Sequence, residues 1–298
     1  MIGLGGACLN QRSHTDGVAT VRRALELGVT YFDTAPAYGR GASQVILGEA
    51  LEGRAEPYLL ATKLGYLATP AAFQSPDALR AQLWENLRAL RRDSVDVLQV
   101  HLAELACWWE NGAPPDQILR LDEHDDFANA PVMQVLREAR AQGRCRFIGI
   151  TADHAEELAY VLRHVEVDAF LVAYDYNLLF RRARRSALPL AREKGVAYIA
   201  AGIFKPGLNA VHPEWLSTPP SWMTPDLQQR FTRLYDIQRS CGLSIVTLSV
   251  RYLVNDPSIS VILVGASTPA ELEESVAAAQ AGPLPPDLHR AIEALGVQ

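Results

Sequence analysis

The sequence predicts an α/β protein built as a single-domain (β/α)8 TIM barrel over residues 1–298. Three observations carry that expectation. Eight short apolar runs alternate with amphipathic segments, the pattern of a parallel sheet covered by helices. No composition break, fixed-period repeat or low-complexity tract divides the chain. Eight such units in 298 residues match a closed barrel, which needs roughly 250 residues plus loops. An open doubly wound sheet is the alternative, but no G-x-G-x-x-G follows the first strand.

Met1 to Leu4 reads as the opening strand and runs into the pair Gly5 and Gly6. Asp16 to Leu27 carries Val18, Val21, Leu25 and Leu27 among polar residues, and Gly28 stops this helix. Val29 to Phe32 is a β-branched and aromatic strand ending on Asp33; Pro36 and Gly39 then force a loop that carries Tyr38. Gln44 to Leu51 is a short helix closed by Gly53, and Tyr58 to Thr62 a strand ending at Lys63. Pro76 to Arg91 is a long helix with Leu79, Leu83, Leu87 and Leu90 on one face. Val95 to Val100 is a strand ending at His101.

The loop 102–130 holds Trp108, Trp109, Gly112, Pro114, Pro115 and an acidic patch from Asp122 to Asp126; a loop of this length is usually functional. Pro131 to Gln142 is a helix with proline in its first turn. Strands follow at Cys145 to Ile150, Asp168 to Ala173, Val196 to Ala201 and Ile259 to Val264. Helices follow at His154 to His164, Ala183 to Lys194, Asp226 to Ser240, Ile245 to Val254 and Pro269 to Ala279, with a terminal one at Leu288 to Leu295. Residues 203–224 form a second long loop rich in proline and tryptophan.

A net charge of −6 argues against a general nucleic-acid binder, which carries a basic patch. Four cysteines without a C-x-x-C pair are too few for a disulfide scaffold, so a reducing, cytoplasmic setting is expected. Leu4 to Cys8 faintly resembles a lipoprotein cleavage site but lacks the basic start and apolar core of a signal peptide. No apolar run approaches the ~20 residues of a membrane helix. The histidines His14, His124, His154, His164, His212 and His289 show no metal-ligand spacing, and no metal is assigned.

In a barrel the strand ends share one face, and that face holds the active site. Asp33, Tyr38, Lys63 and His101 should therefore converge. A phenol has a pKa near ~10 and transfers protons poorly at neutral pH. An ammonium beside it favours phenolate; Lys63 can be that ammonium, with Asp33 holding it charged and in place. Tyr38 is then the general acid or base, and His101 orients the substrate oxygen. None of these groups carries a hydride, so a cofactor must. Taken singly, Asp33 reads equally as a turn residue, and Lys63, His101 and Tyr38 as structural groups. Their sequence of strand ends favours the catalytic reading. A Schiff-base aldolase using Lys63 is the competing chemistry.

The words Gly3-Leu4-Gly5-Gly6, Phe32-Asp33-Thr34-Ala35 with Tyr38-Gly39, Leu47-Gly48-Glu49-Ala50-Leu51, Ala61-Thr62-Lys63, Asp96 to His101, Phe147-Ile148-Gly149-Ile150, Tyr176-Asn177-Leu178-Leu179 and Val264-Gly265-Ala266-Ser267 together resemble the aldo-keto reductase superfamily over nearly the whole chain. Phe147 to Thr151 and Leu263 to Gly265 look most like its L-galactose/L-fucose dehydrogenase-like sugar dehydrogenases. The resemblance implies a catalytic tetrad of Asp33, Tyr38, Lys63 and His101, and NAD(P) lying across the barrel mouth. It assigns cofactor contacts to Gly6, Asp33, Thr151, Phe204, Gly265, Ser267, Glu271 and Glu274. It implies a sugar, polyol or small carbonyl substrate, met by Tyr38 and His101. Glu271 falls where NADP-preferring members carry a basic residue; a carboxylate there would repel a 2′-phosphate, so NAD is expected.

Several positions depart from that pattern. Thr151-Ala152 and Ala173 replace the Ser-Asn and Gln that hold the nicotinamide carboxamide, Ala201 replaces the ring-stacking aromatic, and Gln44 replaces a common Glu. Phe204 or another loop residue is expected to compensate. Trp108 and Trp109 are candidate walls of a sugar pocket, the alternative being a cover for the barrel rim. Arg181, Arg182, Arg184 and Arg185 read as a solvated helix start, the alternative being a phosphate site. Two further readings stay open: a redox-neutral isomerase or epimerase with retained NAD, and a non-catalytic subunit that senses the cofactor.

Overall fold

Eight parallel strands close on themselves in chain order in the computed structural model, which describes residues 1–121, 126–205 and 207–296. They are β1 (Ile2–Gly5), β2 (Tyr31–Asp33), β3 (Leu59–Leu64), β4 (Val95–Val100), β5 (Cys145–Ala152), β6 (Ala169–Ala173), β7 (Ala197–Ala201) and β8 (Val261–Gly265). The last strand returns to the first, with Ile2 beside Ile262 and Gly5 beside Gly265. This is the (β/α)8 barrel that the alternation of apolar runs predicts.

The two faces of each strand divide between two apolar layers, as a period of two requires. Tyr31, Ala61, Val97, Leu171, Ile199, Val261 and Leu263 fill the barrel. Their neighbours Phe32, Leu60, Leu98, Phe170, Val172, Ala200, Ile262 and Val264 pack outward under the helices. Both faces are buried, so the strands read as nearly continuous apolar runs.

Helices α1 (His14–Glu26), α2 (Ala42–Leu51), α3 (Pro70–Phe73), α4 (Pro76–Ala89), α5 (Pro131–Ala141) and α6 (Ala155–His164) cover the first half. Helices α7 (Arg182–Arg185), α8 (Ala187–Lys194), α9 (Pro225–Cys241), α10 (Ile245–Val254), α11 (Pro269–Gln280) and α12 (Pro286–Glu293) cover the second. Side-chain oxygens of Ser13, Ser75, Thr224, Ser244 and Thr268 accept a first-turn amide of the following helix. In α2 a Cβ on Gly48 would come within 2.6 Å of the Ala89 carbonyl oxygen, so glycine lets α2 lie close to the end of α4.

The structure departs from the sequence expectation in two places. The helix expected over 183–194 is broken at Ser186 (φ −99°, ψ −74°) into α7 and α8. Pro189 accounts for the break, because it offers no amide to the Arg185 carbonyl and its ring crowds that group. The loop 102–130 is ordered in its own right, with a 3-10 turn over Ala106–Trp108, an antiparallel bridge between Leu105 and Ile118, and another 3-10 turn over Phe127–Asn129. Within its acidic patch, Asp122 to Asp125, including His124, lie outside the described residues.

Of the basic run, Arg182, Arg184 and Arg185 are exposed on α7, in keeping with a solvated helix start, and Arg181 alone is buried. Arg181 donates to the carbonyls of Leu178 at 3.0 Å and of Ile292 at 2.7 Å, latching α12 to the loop after β6. Arg182 pairs with Asp175 at 2.7 Å and Arg184 with Glu293 at 2.8 Å. The cysteines Cys8, Cys107, Cys145 and Cys241 are all free thiols. Among the described residues no helix is long and apolar enough to cross a membrane.

Candidate active site

The carboxyl ends of β2, β3 and β4 bring Asp33, Lys63 and His101 to one mouth, and the loop after β2 folds Tyr38 over them. Lys63 is 1% exposed, and a buried ammonium needs partners to offset its lost hydration. It donates to the Asp33 carboxylate, to the Thr34 carbonyl at 2.8 Å and to the Tyr38 hydroxyl at 3.3 Å. The second Asp33 oxygen accepts from Gln99 Nε2 at 2.9 Å. The imidazole of His101 meets the Tyr38 ring edge-on, with centroids 5.7 Å apart.

Electrostatics follow from burial and this pairing. Burial works against the charge of Lys63, but Asp33 and the Tyr38 phenol outweigh it and hold its pKa above the ordinary lysine value. Burial, reinforced by Lys63, pushes His101 well below the usual histidine range, so its ring is neutral at pH 7. Its Nδ1 is buried and has no hydrogen-bond partner. For Tyr38 the sequence expectation needs correcting. Lys63 does lower the phenol pKa, but burial raises it by more, and the net shift is upward. The resting group is a neutral phenol, poised to donate.

Several backbone contacts fix these groups. Asn86 on α4 donates to the Lys63 carbonyl at 2.9 Å, and Gln82 brackets Gly65 through its amide and carbonyl at 2.9 and 2.7 Å. Gly65 has φ +151°, and a Cβ there would lie 2.8 Å from that of His101. Leu102, Tyr66 and Tyr174 adopt left-handed backbone (φ 58°, 57° and 67°), and all three line the mouth. Such conformations cluster at functional sites.

The mouth opens into a cavity of 780 Å³ running from the tetrad to α11. One side is lined by the small residues Gly5, Ala7, Ala173, Ala201, Gly202 and Gly265, which leave room for a flat ring. The far end presents Ser267, Glu271, Glu274 and Ser275, and the exposed cations Arg12 and Lys205 stand at the rim. A trough that leads from proton-transfer groups past two cations to a polar end fits an extended dinucleotide.

Of the residues singled out from sequence, Asp33, Tyr38, Lys63, His101, Thr151, Phe204, Gly265, Ser267, Glu271 and Glu274 all line this cavity. Three do not. Gly6 is buried beside it, and a Cβ there would sit 2.3 Å from the Ser43 hydroxyl; its role is close packing. Trp108 and Trp109 are 0% and 9% exposed, in the core beneath the rim. They wall no substrate pocket. Trp108 packs edge-on against Phe73 and donates to the His101 carbonyl at 3.0 Å, and Trp109 donates to the Ala103 carbonyl at 2.8 Å. Gln44 is likewise buried, donating to the Thr62 hydroxyl at 3.0 Å.

The sequence reading passed over Gln99, Tyr66, Asp153, Tyr174 and Lys205. Gln99 was accessible to it, since the alternation that aims His101 inward aims Gln99 inward too. The others lie on loops whose backbone angles leave no residue-type signature. Tyr174 follows Ala173 directly, so an aromatic does line the cavity near the three alanines, beside Phe204.

A closed barrel with a buried ion pair beside a phenol, opening on a dinucleotide-sized trough, defines a barrel oxidoreductase in its fold and site. The model of the Aldo/keto reductase family matches residues 1–296, and the chain belongs to that family. It is 32% identical over 281 residues to L-galactose dehydrogenase from Arabidopsis thaliana, covering 92% of this chain and 81% of the relative. It is 27% identical to D-threo-aldose 1-dehydrogenase from a Pseudomonas species, covering 88% and 83%. The holo form of an aldo-keto reductase from Bacillus halodurans superposes with a TM-score of 0.76 at 22% identity, covering 99% and 91%. The chain is an NAD(P)-dependent oxidoreductase.

Proposed function

We propose that the enzyme interconverts a hydroxyl and a carbonyl group on a sugar, polyol or other small carbonyl compound, using NAD, with Tyr38 as the proton-transfer residue. The observation that carries the roles is the contact of Lys63 Nζ with the Tyr38 hydroxyl at 3.3 Å while Asp33 holds the same ammonium. When bound, the dinucleotide supplies or accepts the hydride, which none of the cavity side chains can carry.

In the direction of reduction, Tyr38 donates its proton to the substrate oxygen as negative charge develops there, and Lys63 stabilises the phenolate left behind. In oxidation the same oxygen takes the proton back. The neutral His101 ring, with Nδ1 buried, offers its other nitrogen to orient the substrate oxygen. Asp33 and Gln99 fix Lys63 without touching substrate.

Support for NAD comes from Glu271. Its carboxylate accepts from the Ser267 amide at 2.8 Å and from the Ser267 hydroxyl at 3.0 Å, in the first turn of α11. A helix N-terminus is an attractive place for a phosphate, and here the chain already supplies an anion. A 2′-phosphate beside it would meet like charge, whereas a ribose hydroxyl could donate to it. The sugar class is supported by the L-galactose and aldose dehydrogenases that the chain resembles. The test is a panel of sugars and aldehydes with NAD and NADP in both directions, read as absorbance at 340 nm, with Tyr38→Phe as control. Turnover that survives in Tyr38→Phe sinks the assignment of roles.

A further inference from the structure

Asp153 follows β5 directly and lines the cavity, half-buried, between the reacting groups and the rim. Its backbone is pinned: its amide donates to Glu104 Oε1 at 2.8 Å, and two residues on the Ala155 amide donates to Asp175 at 3.1 Å. Its side chain is not pinned. The carboxylate takes no hydrogen bond and no ion pair from any described residue. A carboxylate on the cavity wall whose oxygens no protein donor occupies is free to receive donors from a ligand.

The surroundings say which ligand. The negative charge of Asp153 bears on three phenols of the same cavity, Tyr38, Tyr66 and Tyr174, raising each pKa further after burial has raised it. Asp153 is therefore within electrostatic reach of the proton-transfer residue. At that end the ammonium, Lys63, is already paired with Asp33, and His101 stays neutral. The remaining lining cations, Arg12 and Lys205, are exposed at the rim along the dinucleotide trough. His154, Lys205 and Lys63 favour the charged form of Asp153, but burial outweighs them and its net pKa shift is upward, so they leave no surplus of positive charge for a second anion. Tyr66, 60% exposed and tilted against His101 with centroids 4.9 Å apart, adds an aromatic face. A carboxylate acceptor next to such a face is the combination that holds a polyhydroxylated ring or chain.

We propose that Asp153 binds substrate hydroxyls and makes the enzyme selective for neutral polyhydroxylated substrates over their phosphorylated counterparts. The proposal rests on the oxidoreductase reading above and narrows its substrate class.

The test compares wild type, Asp153→Asn and Asp153→Ala, each saturated with NADH, on L-glyceraldehyde and L-glyceraldehyde 3-phosphate. The equilibrium Kd for NADH is measured alongside by nicotinamide fluorescence. Wild type should favour the neutral aldehyde by at least tenfold in kcat/KM. Asp153→Ala should raise KM for it about tenfold, with kcat within threefold and the NADH Kd within twofold. Asp153→Asn, which removes the charge at nearly constant shape, should bring the preference to within threefold by improving use of the phosphate. A wild type indifferent to the phosphate, or an Asp153→Asn that keeps the full preference, overturns the proposal while leaving the oxidoreductase reading intact. Loss of NADH affinity in step with substrate affinity also overturns it, by assigning Asp153 to the cofactor. Absence of NADH consumption by wild type on both aldehydes and on the whole sugar panel refutes the broader reading, and this one with it.

Discussion

Gln99 donates to the Asp33 oxygen that Lys63 leaves free, at 2.9 Å, inside the barrel. Asp33 thus has both oxygens engaged in a place that water does not reach. Removing Gln99 leaves one oxygen of a buried carboxylate unpaired, and a hydrogen bond to a charged group contributes about 1.5–3 kcal/mol. Gln99→Leu should lower stability by an amount in that range, read as a drop in urea midpoint. It should also lower kcat about tenfold through a displaced Lys63, with KM for substrate nearly unchanged.

Tyr38→Phe keeps the ring against His101 but removes the transferable proton. General acid–base catalysis contributes about 10²–10⁴-fold, so kcat should fall by that factor. Lys63→Met should fall comparably and also unfold more easily, because it strands Asp33. Binding of NADH to Tyr38→Phe, followed by fluorescence, should stay within threefold of wild type; a large loss would give Tyr38 a structural role instead.

The upward shift of Tyr38 fixes the sign of the pH dependence. Reduction needs the protonated phenol, so its rate should stay flat through neutral pH and decline only in the alkaline range. Oxidation needs the phenolate, so it should climb as pH rises toward that range. Stopped-flow rates of the chemical step in both directions check this, and an oxidation rate that falls with rising pH contradicts it.

Glu104 offers a stability test separate from chemistry. Burial, with smaller contributions from Asp153 and Glu157, pushes its pKa to about 7. The folded state therefore holds a proton that the unfolded chain releases near ~4.5. Its stabilising effect is complete below the unfolded pKa and is lost as pH rises through about 7. That shift corresponds to about 3 kcal/mol. Glu104→Gln keeps an acceptor for the Asp153 amide and cannot ionise. The variant should gain stability relative to wild type as pH goes from 5 to 8, measured by chemical denaturation.

Glu271→Gln removes the like charge from the adenosine end of the trough. NADPH affinity should improve about tenfold, the order of effect expected on removing one of two like charges several ångströms apart at a protein surface. NADH affinity should change by less than threefold. Titrating both by fluorescence decides it, and equal changes for the two would remove Glu271 from the discrimination.

The barrel and the convergence of Asp33, Lys63 and His101 were legible because they depend on order and period alone. Each group closes an apolar run, and parallel closure puts all run ends on one rim. Gln99 obeys the same period and was passed over because an amide does not announce chemistry. Trp108 and Trp109 were misplaced for a different reason. The sequence shows a long irregular loop but not the Leu105–Ile118 bridge that folds it back, with the Trp108 indole on the His101 carbonyl and the Trp109 indole on that of Ala103. Tyr66 and Tyr174 reach the mouth through left-handed backbone, which residue type does not encode outside glycine. The net rise of the Tyr38 pKa was illegible too, since it depends on how deeply the ring is covered.

The pairing of β1 with β8 has a consequence for biosynthesis. Residue 2 finds its partner at residue 262, so the sheet has two raw edges for most of the time the chain is being made. Only after Gly265 emerges from the ribosome can they be sealed, and contacts of that sequence separation form slowly. Nascent chains halted before β8 should be the species that holdase chaperones retain.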